Sequence, residues 1–193
     1  MPGTVSVATS SFHRGRILSV LTLAFAMDPA VRWVYPEPRQ YLDEFEEFVD
    51  GFAGGAFSHG SAYFVEGFGG AALWLPPGIH PDDRALGTLF DRTLPGRKGE
   101  LERVFGEMDG HHPAEPHWYL PLMGVDPVLQ GRGLGSALLR EALARCDRDR
   151  SRAYLEATCS DNVALYERHG FEVRGTVAAD GRTLVWPMVR EPR

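Results

Sequence analysis

The chain has 193 residues, 44% hydrophobic and 11% aromatic, with a formal net charge of −6 at pH 7. That length and composition predict one domain, residues 1–193, with a substantial core, and exclude a disordered polyelectrolyte. The acidic balance, without a Lys/Arg block, argues against a nucleic-acid or anionic-membrane surface and suits attraction of a cationic amine.

Val5 to Ala8 alternates weakly and reads as an edge strand. His13, Arg14 and Arg16 before the apolar run Ile17–Met27, with Ala24-Phe25-Ala26 after its middle, mimic a secretory leader. The same run reads as an amphipathic helix with Ile17, Val20, Leu21, Ala24 and Phe25 on its core face, and this is the expected form. No run reaches the ~18 apolar residues of a membrane span. Asp28 to Pro38, with Trp33 and Tyr35 among prolines, predicts a stiff aromatic loop. Gln40 to Ala56 predicts a helix with Leu42, Phe45, Val49, Phe52 and Ala53 inward; Asp43, Glu44, Glu46, Glu47 and Asp50 form a solvated face or, in the alternative, the rim of a site that draws in a protonated amine. Ser61–Glu66 and Ala71–Leu75 are expected strands of a hairpin. The excursion 76–116 is too long for a structureless loop. Leu86, Leu89 and Phe90, then Leu101, Val104, Phe105 and Met108, predict two short helices in it, covering one end of a site.

An apolar run, Trp118–Val125, predicts a buried strand broken at Asp126-Pro127. Gln130-Gly131-Arg132-Gly133-Leu134-Gly135 follows, and then Ser136–Arg145, whose apolar residues recur at helical spacing. A glycine-rich strand-to-helix junction suits an anion: the first amides of a helix lack acceptors, and glycine admits a phosphate to the backbone. Between Gln130 and Arg140 there is no acid and there are two arginines, the reverse of a normal first turn. A dinucleotide fingerprint is one reading, with Glu156 as the ribose acid, but residue 136 is serine and five residues precede the first glycine. Gln130, Gly133 and Gly135 instead meet Gln-x-x-Gly-x-Gly. Further on, Ala153–Ala157 predicts a strand, and Asn162–His169 a helix capped by Ser160 or Asp161 and stopped by Gly170. Phe171–Val177 and Thr183–Val189 are expected to close the sheet through Asp180-Gly181.

The glycine motif resembles the acetyl-CoA signature of the GNAT superfamily of N-acetyltransferases. Ser160–Phe171 is similar to that family's next helix and strand. Glu115–Leu139 looks like the puromycin-acetyltransferase-like branch. The likeness is strong over Glu115–Phe171 and weak over the first 110 residues. It implies an α/β GNAT-like fold: a mixed, mostly antiparallel sheet splayed at its middle strands and flanked by helices. It also implies acetyl-CoA as cosubstrate, held by Gln130, Gly131, Arg132, Gly133, Leu134, Gly135 and Ser136 at the diphosphate. Met123, Gly124 and Val125 would flank the pantetheine, with a bulge at Gly124 opening the splay. Asn162 and Tyr166, four apart on one helix face, would bond the pantetheine and protonate the departing sulfur.

An alkylammonium of pKa ~10 must lose a proton before attack. Glu156 is the first candidate base; His117 and Tyr119, on the same side of a neighbouring strand, are second candidates. His111, His112 and His117 lack carboxylate partners, so no metal is expected, and the His111-His112 pair reads as a solvated loop. Cys146 and Cys159 are too few for a disulfide framework and predict a reducing cytoplasm. Cys159 reads as packed, with His169 on the far side of its helix, which argues against an acyl-enzyme. The expected activity is N-acetylation of a small primary amine by direct attack, in a monomer or homodimer. The rivals are a nicotinamide-dependent oxidoreductase and a non-catalytic acyl-CoA sensor.

Overall fold

The computed structural model describes residues 3–193. Period-two alternation builds its sheet from β1 (Val5–Val7), β2 (Ala62–Val65), β3 (Gly70–Leu75), β4 (Trp118–Val125), β5 (Ala153–Ala157), β6 (Glu172–Val173), β7 (Val177–Ala179) and β8 (Arg182–Arg190). The order is β1-β2-β3-β4-β5-β8-β6, with β7 also on β8. β4 and β5 run parallel; the other pairs are antiparallel. Among the described residues eight α-helices flank it: α1 (Ser11–Phe25), α2 (Pro29–Val34), α3 (Pro38–Ala53), α4 (Gly55–Ser58), α5 (Asp83–Thr93), α6 (Lys98–Asp109), α7 (Leu134–Arg148) and α8 (Ser160–Arg168). The sheet is therefore mixed and mostly antiparallel, as expected, and α5 and α6 occupy the excursion between β3 and β4.

Alternation sends side chains to two cores. Phe64, Leu73, Tyr119, Leu122 and Tyr154 join the helices that carry Leu21, Phe45 and Leu89. Tyr63, Trp74, Trp118, Leu120 and Leu155 join Leu138, Leu139 and Leu143 of α7. β3 is buried along its whole length, which is why it reads as an unbroken apolar run. No helix among the described residues is long and apolar enough to cross a membrane.

Several expectations are corrected. α1 begins at Ser11, because the Ser10 side chain accepts from the His13 amide at 3.2 Å. The loop expected over Asp28–Pro38 contains α2, capped by Asp28 through the amides of Ala30 and Val31, both 3.0 Å away. On α3, Leu42 is exposed and Tyr41 and Phe48 take the inward positions. Tyr41, Phe45, Phe48 and Phe52 follow a 4-3-4 spacing, and their rings outweigh one leucine in buried area. Phe171–Val177 is not one strand: β6 and β7 pair with separate stretches of β8. The turn at Asp180-Gly181 stands, with φ of 52° and 73°, both left-handed as a tight hairpin requires.

The splay decides where a site can form. β4 and β5 pair at Trp118–Ala153, Tyr119–Tyr154 and Leu120–Leu155. The next residue on β4 is Pro121, which has no amide to donate, and the two strands part there. The irregularity also lies at this point and not at Gly124. β3–β4 register slips between Leu73–Leu122 and Leu75–Tyr119, leaving one extra residue on β4. Gly124 stays in register with Ala71. A β-carbon on it would lie 2.6 Å from that of Ala24, so its glycine is required by the close approach of α1.

Candidate active site

The glycine junction is built as an anion cradle. Gly131 and Gly133 have φ of +74° and +81°, a region L side chains rarely adopt. A β-carbon on either would meet nothing within 4 Å, so conformation and not space demands glycine there. Gly133 is the N-cap of α7, with no side-chain cap and no acid in the first turn. The helical bonding starts with Ala137 N to Gly133 O at 3.0 Å, leaving the preceding amides turned outward. Positive charge surrounds the same spot. The pKa of His169 is lowered first by burial and then by Arg140 and Arg168, with Arg190 and Arg193 behind. His169 is not remote from the cradle as its helix position suggests: its Nε2 lies 3.1 Å from Ser136 Oγ. The left-handed Gly170 (φ +90°) ends α8, and the Phe171 amide donates back to the Tyr166 carbonyl at 3.1 Å.

A cavity of about 480 Å³ opens between the parted strands. Met123, Gly124, Val125, Gln130, Gly131, Gly133, Leu134, Gly135, Ser136, Asn162, Tyr166 and Glu156 all line it. Arg132 does not. It is exposed and reaches back to the Val128 carbonyl at 3.4 Å, while Arg168 of α8 lines the cavity in its stead. α8 is capped at Cys159, not Ser160 or Asp161, and without a side-chain bond. Asn162, although exposed, and Tyr166 both line the cavity from this helix. Tyr166 is buried beside Phe171. Its pKa is raised, chiefly by burial and secondly by the charge of Asp28, so the phenol stays protonated well past neutrality. Asp28, hydrogen-bonded by the Thr158 hydroxyl, lines the same cavity; its capping role gives no hint of this.

Glu156 follows Tyr154 by two residues and so points to the α3 side of the sheet. Its side chain is 4% exposed, and among the described residues its Oε1 is buried without a hydrogen-bond partner. It lines three cavities: that of the cradle, a second of about 450 Å³, and a narrow apolar one beside Trp33 and Phe105. The second is walled by Phe52, Phe90, Phe105 and Tyr119, and edged by Asp83, Asp109 and the group of Asp91 and Glu102 around Lys98, which stands 2.7 Å from Asp91. These acids lie on or next to α5 and α6, within the excursion expected to cover the site. The acids of α3 do not line either large cavity; Asp43 pairs with Arg39, Glu44 and Glu47 with Arg92, and Asp50 with Arg14.

Of the other candidate bases, Tyr119 is pushed well above the ordinary tyrosine range by burial and then by Glu156, so it keeps its proton. His117 lines a separate surface cavity. His112 contradicts the solvated-loop reading, for its Nε2 stands 3.4 Å from Glu156 Oε1. No spacing rule links a residue after α6 to one on β5, so only the fold could show it. Among the described residues, no group of three or more His, Cys, Asp or Glu is placed to hold a metal ion.

Residues 99–173 match the family model of the acetyltransferase (GNAT) domain. The chain is similar over all its length to a Corynebacterium glutamicum structure described as histone acetyltransferase HPA2 and related acetyltransferase. The two share 27% identity over 98% of that chain, with a TM-score of 0.70. The chain is an acyltransferase. The acyltransferase also resembles mosquito arylalkylamine N-acetyltransferase like 5b, at 17% identity and TM-score 0.67, over 97% of this chain and 100% of that one. A mutant agmatine N-acetyltransferase in its apo form gives 17% and 0.63 over 97% and 99%. At such identities the likeness speaks for the fold. A mostly antiparallel sheet does not favour the nicotinamide reading, which needs a doubly wound parallel one.

Proposed function

We propose that this acyltransferase moves an acetyl group from acetyl-CoA to the primary amine of a small molecule by direct attack, with both substrates bound. The observation that carries the reading is the position of Glu156. A carboxylate oxygen shut from solvent, with no close hydrogen bond and His112 Nε2 3.4 Å away, marks the meeting point of the cradle cavity and the aromatic, acid-edged one. An amine nitrogen there would satisfy it.

The donor set fits the cosubstrate, which supplies an activated acyl group on a thiol leaving group. The amides from Gly131 to Ser136 take its diphosphate, and the main chain of Met123, Gly124 and Val125, released from β5, pairs with its pantetheine. Asn162 adds a side-chain bond. Glu156 takes one proton from the ammonium before attack; Tyr166 donates its own proton to the sulfur and is recharged by the second proton of the nitrogen. The four aromatic rings suit an acceptor with an apolar body, and Asp83 and Asp109 at the edge, outside the Lys98 pairs, draw in its positive charge. Amines also figure in the names of two similar structures, arylalkylamine and agmatine acetyltransferases. The reading takes residues 1–193 as one domain, working in the cytoplasm as monomer or homodimer with only these small-molecule partners. It keeps the puromycin-acetyltransferase-like kinship over Glu115–Leu139 without naming puromycin as acceptor.

Acetyl-CoA at a hundred times its Kd is expected to stabilise the fold by about 2.7 kcal/mol, read as a raised melting temperature, and NADH to leave it unchanged. A panel of amines should give sustained thiol release, fastest with arylalkylamines. If no amine supports release and acetyl-CoA gives no shift, the proposal fails. Tyr166→Phe is expected to lower kcat roughly a hundredfold or more with an unaltered KM for acetyl-CoA. It should also remove the alkaline fall in rate, which in the parent lies above the ordinary tyrosine range because the phenol's pKa is raised. An unchanged profile would assign Tyr166 to packing alone.

A further inference from the structure

Acetylating an ammonium strips two protons from its nitrogen. One ends on the departing sulfur; the other belongs to neither product and must reach bulk water at every turnover. On the reading above it arrives at Glu156, which is 4% exposed, and the two large cavities that reach Glu156 are those the substrates fill.

A way out lies behind it. His112, in the turn after α6, stands in the wall between the aromatic cavity and a surface cavity of about 180 Å³ that His117, His80 and Glu115 line. His112 Nε2 is 3.4 Å from Glu156 Oε1, a few tenths of an ångström beyond a hydrogen bond. His112 Nδ1 is 3.0 Å from His117 Nε2, and His117 Nδ1 is 2.9 Å from the Glu115 carbonyl oxygen. Elimination places the hydrogens. A carbonyl only accepts, so His117 Nδ1 carries one. The contact between the imidazoles needs one, and the contact to Glu156 needs another. That makes three, whereas two neutral imidazoles and a carboxylate bring two. The chain of contacts is complete only when it holds one extra proton.

The geometry points to a proton relay, Glu156 to His112 to His117, that discharges the acceptor's proton into the surface cavity. With the proton on Glu156, its O–H bond breaks as an N–H bond forms at His112 Nε2. In the same movement His112 Nδ1 gives its hydrogen to His117 Nε2. The charge emerges on His117, whose Nδ1–H bond breaks to a water of the surface cavity; exchange of the remaining ring hydrogens with water restores the Nδ1–H tautomer of both imidazoles, and Glu156 is again a carboxylate. His117 is suited to release it: burial, then the neighbouring His112 and His80, lower its pKa, against the Glu115 carbonyl and Glu156, which raise it. The groups facing His112 are Glu156 and Tyr154 from β5, Tyr119 from β4, His117 ahead of β4, and Asp109 and His80 on the cavity wall. Both tyrosines are held protonated by burial and by Glu156, so neither diverts the proton.

The relay rests on Glu156 as base, and His117→Gln separates the two ideas because His117 does not line the cavities of either substrate. His117→Gln and His112→Gln are each expected to lower kcat about tenfold at pH 7 with KM for acetyl-CoA unchanged. The solvent deuterium isotope effect on kcat should rise, and added imidazole should restore the rate in proportion to its concentration. A His117→Gln enzyme within twofold of the parent, with the same isotope effect, overturns the relay, as does a loss that imidazole does not restore. If Glu156→Gln turns over normally, the base itself is wrong; if it is inactive while His117→Gln is unaffected, only the relay falls.

Discussion

Glu156→Gln is expected to lower kcat by a hundredfold to ten-thousandfold at pH 7, the usual worth of a general base, while leaving the KM for acetyl-CoA in place. The amide keeps the shape of the carboxylate and cannot take a proton. The deficit should shrink about tenfold per pH unit as pH rises toward the acceptor's pKa of ~10, because a larger fraction of the amine then arrives deprotonated. Stability should change little, since the amide keeps the packing, the approach of His112 Nε2 to the replaced oxygen is a long 3.4 Å, and a charge shut from water is costly. Initial rates from pH 6 to pH 10 and a urea melt give both readings. A variant within threefold of the parent at pH 7 would remove Glu156 from the chemistry.

Asp147→Ala should destabilise the fold by about 3 kcal/mol, the lower end for breaking a buried ion pair, because Asp147 is itself 27% exposed. Arg190 at the end of β8 is 4% exposed. It grips Asp147 of α7 through Nη1 at 2.7 Å and Nη2 at 2.9 Å, and its Nε donates to the His169 carbonyl at 3.0 Å. The variant leaves that cation without its carboxylate. Arg190 holds the Asp147 carboxyl below the usual carboxylate range. A depressed pKa contributes stability above the unfolded value and loses it as pH falls through the folded one. The parent should therefore lose stability below pH ~4 more steeply than the variant. Since Arg190 also positions His169, which reaches Ser136, the KM for acetyl-CoA should rise. Unfolding midpoints against pH test this, and a loss under 1 kcal/mol would contradict the pairing.

On the proposed reading, the cosubstrate half of the site is legible in the sequence because local rules write it. Positive φ demands glycine at 131 and 133, helix geometry joins Asn162 to Tyr166, and alternation aims Glu156. The acceptor half is not, because tertiary contacts build it. His112 reaches Glu156 across a break of more than forty positions, and Asp28 reads as a cap. Leu42 misleads because a helix with aromatic residues at 41, 45, 48 and 52 turns its inward face by one position. The splay itself can be anticipated, but not from Gly124; the missing amide belongs to Pro121, and Gly124 answers to Ala24 across the core. Arg132, adjacent to the cradle in sequence, turns away from it, while Arg168 comes round on another helix.

The parting of β4 from β5 leaves a seam in the middle of the sheet, where main-chain groups that would normally be zipped are open. On the reading above, a thiol-terminated tether lies in that seam as a makeshift strand, so the protein borrows part of its architecture from a metabolite. Its resistance to heat, protease and clumping would then rise and fall with the cell's supply of that metabolite.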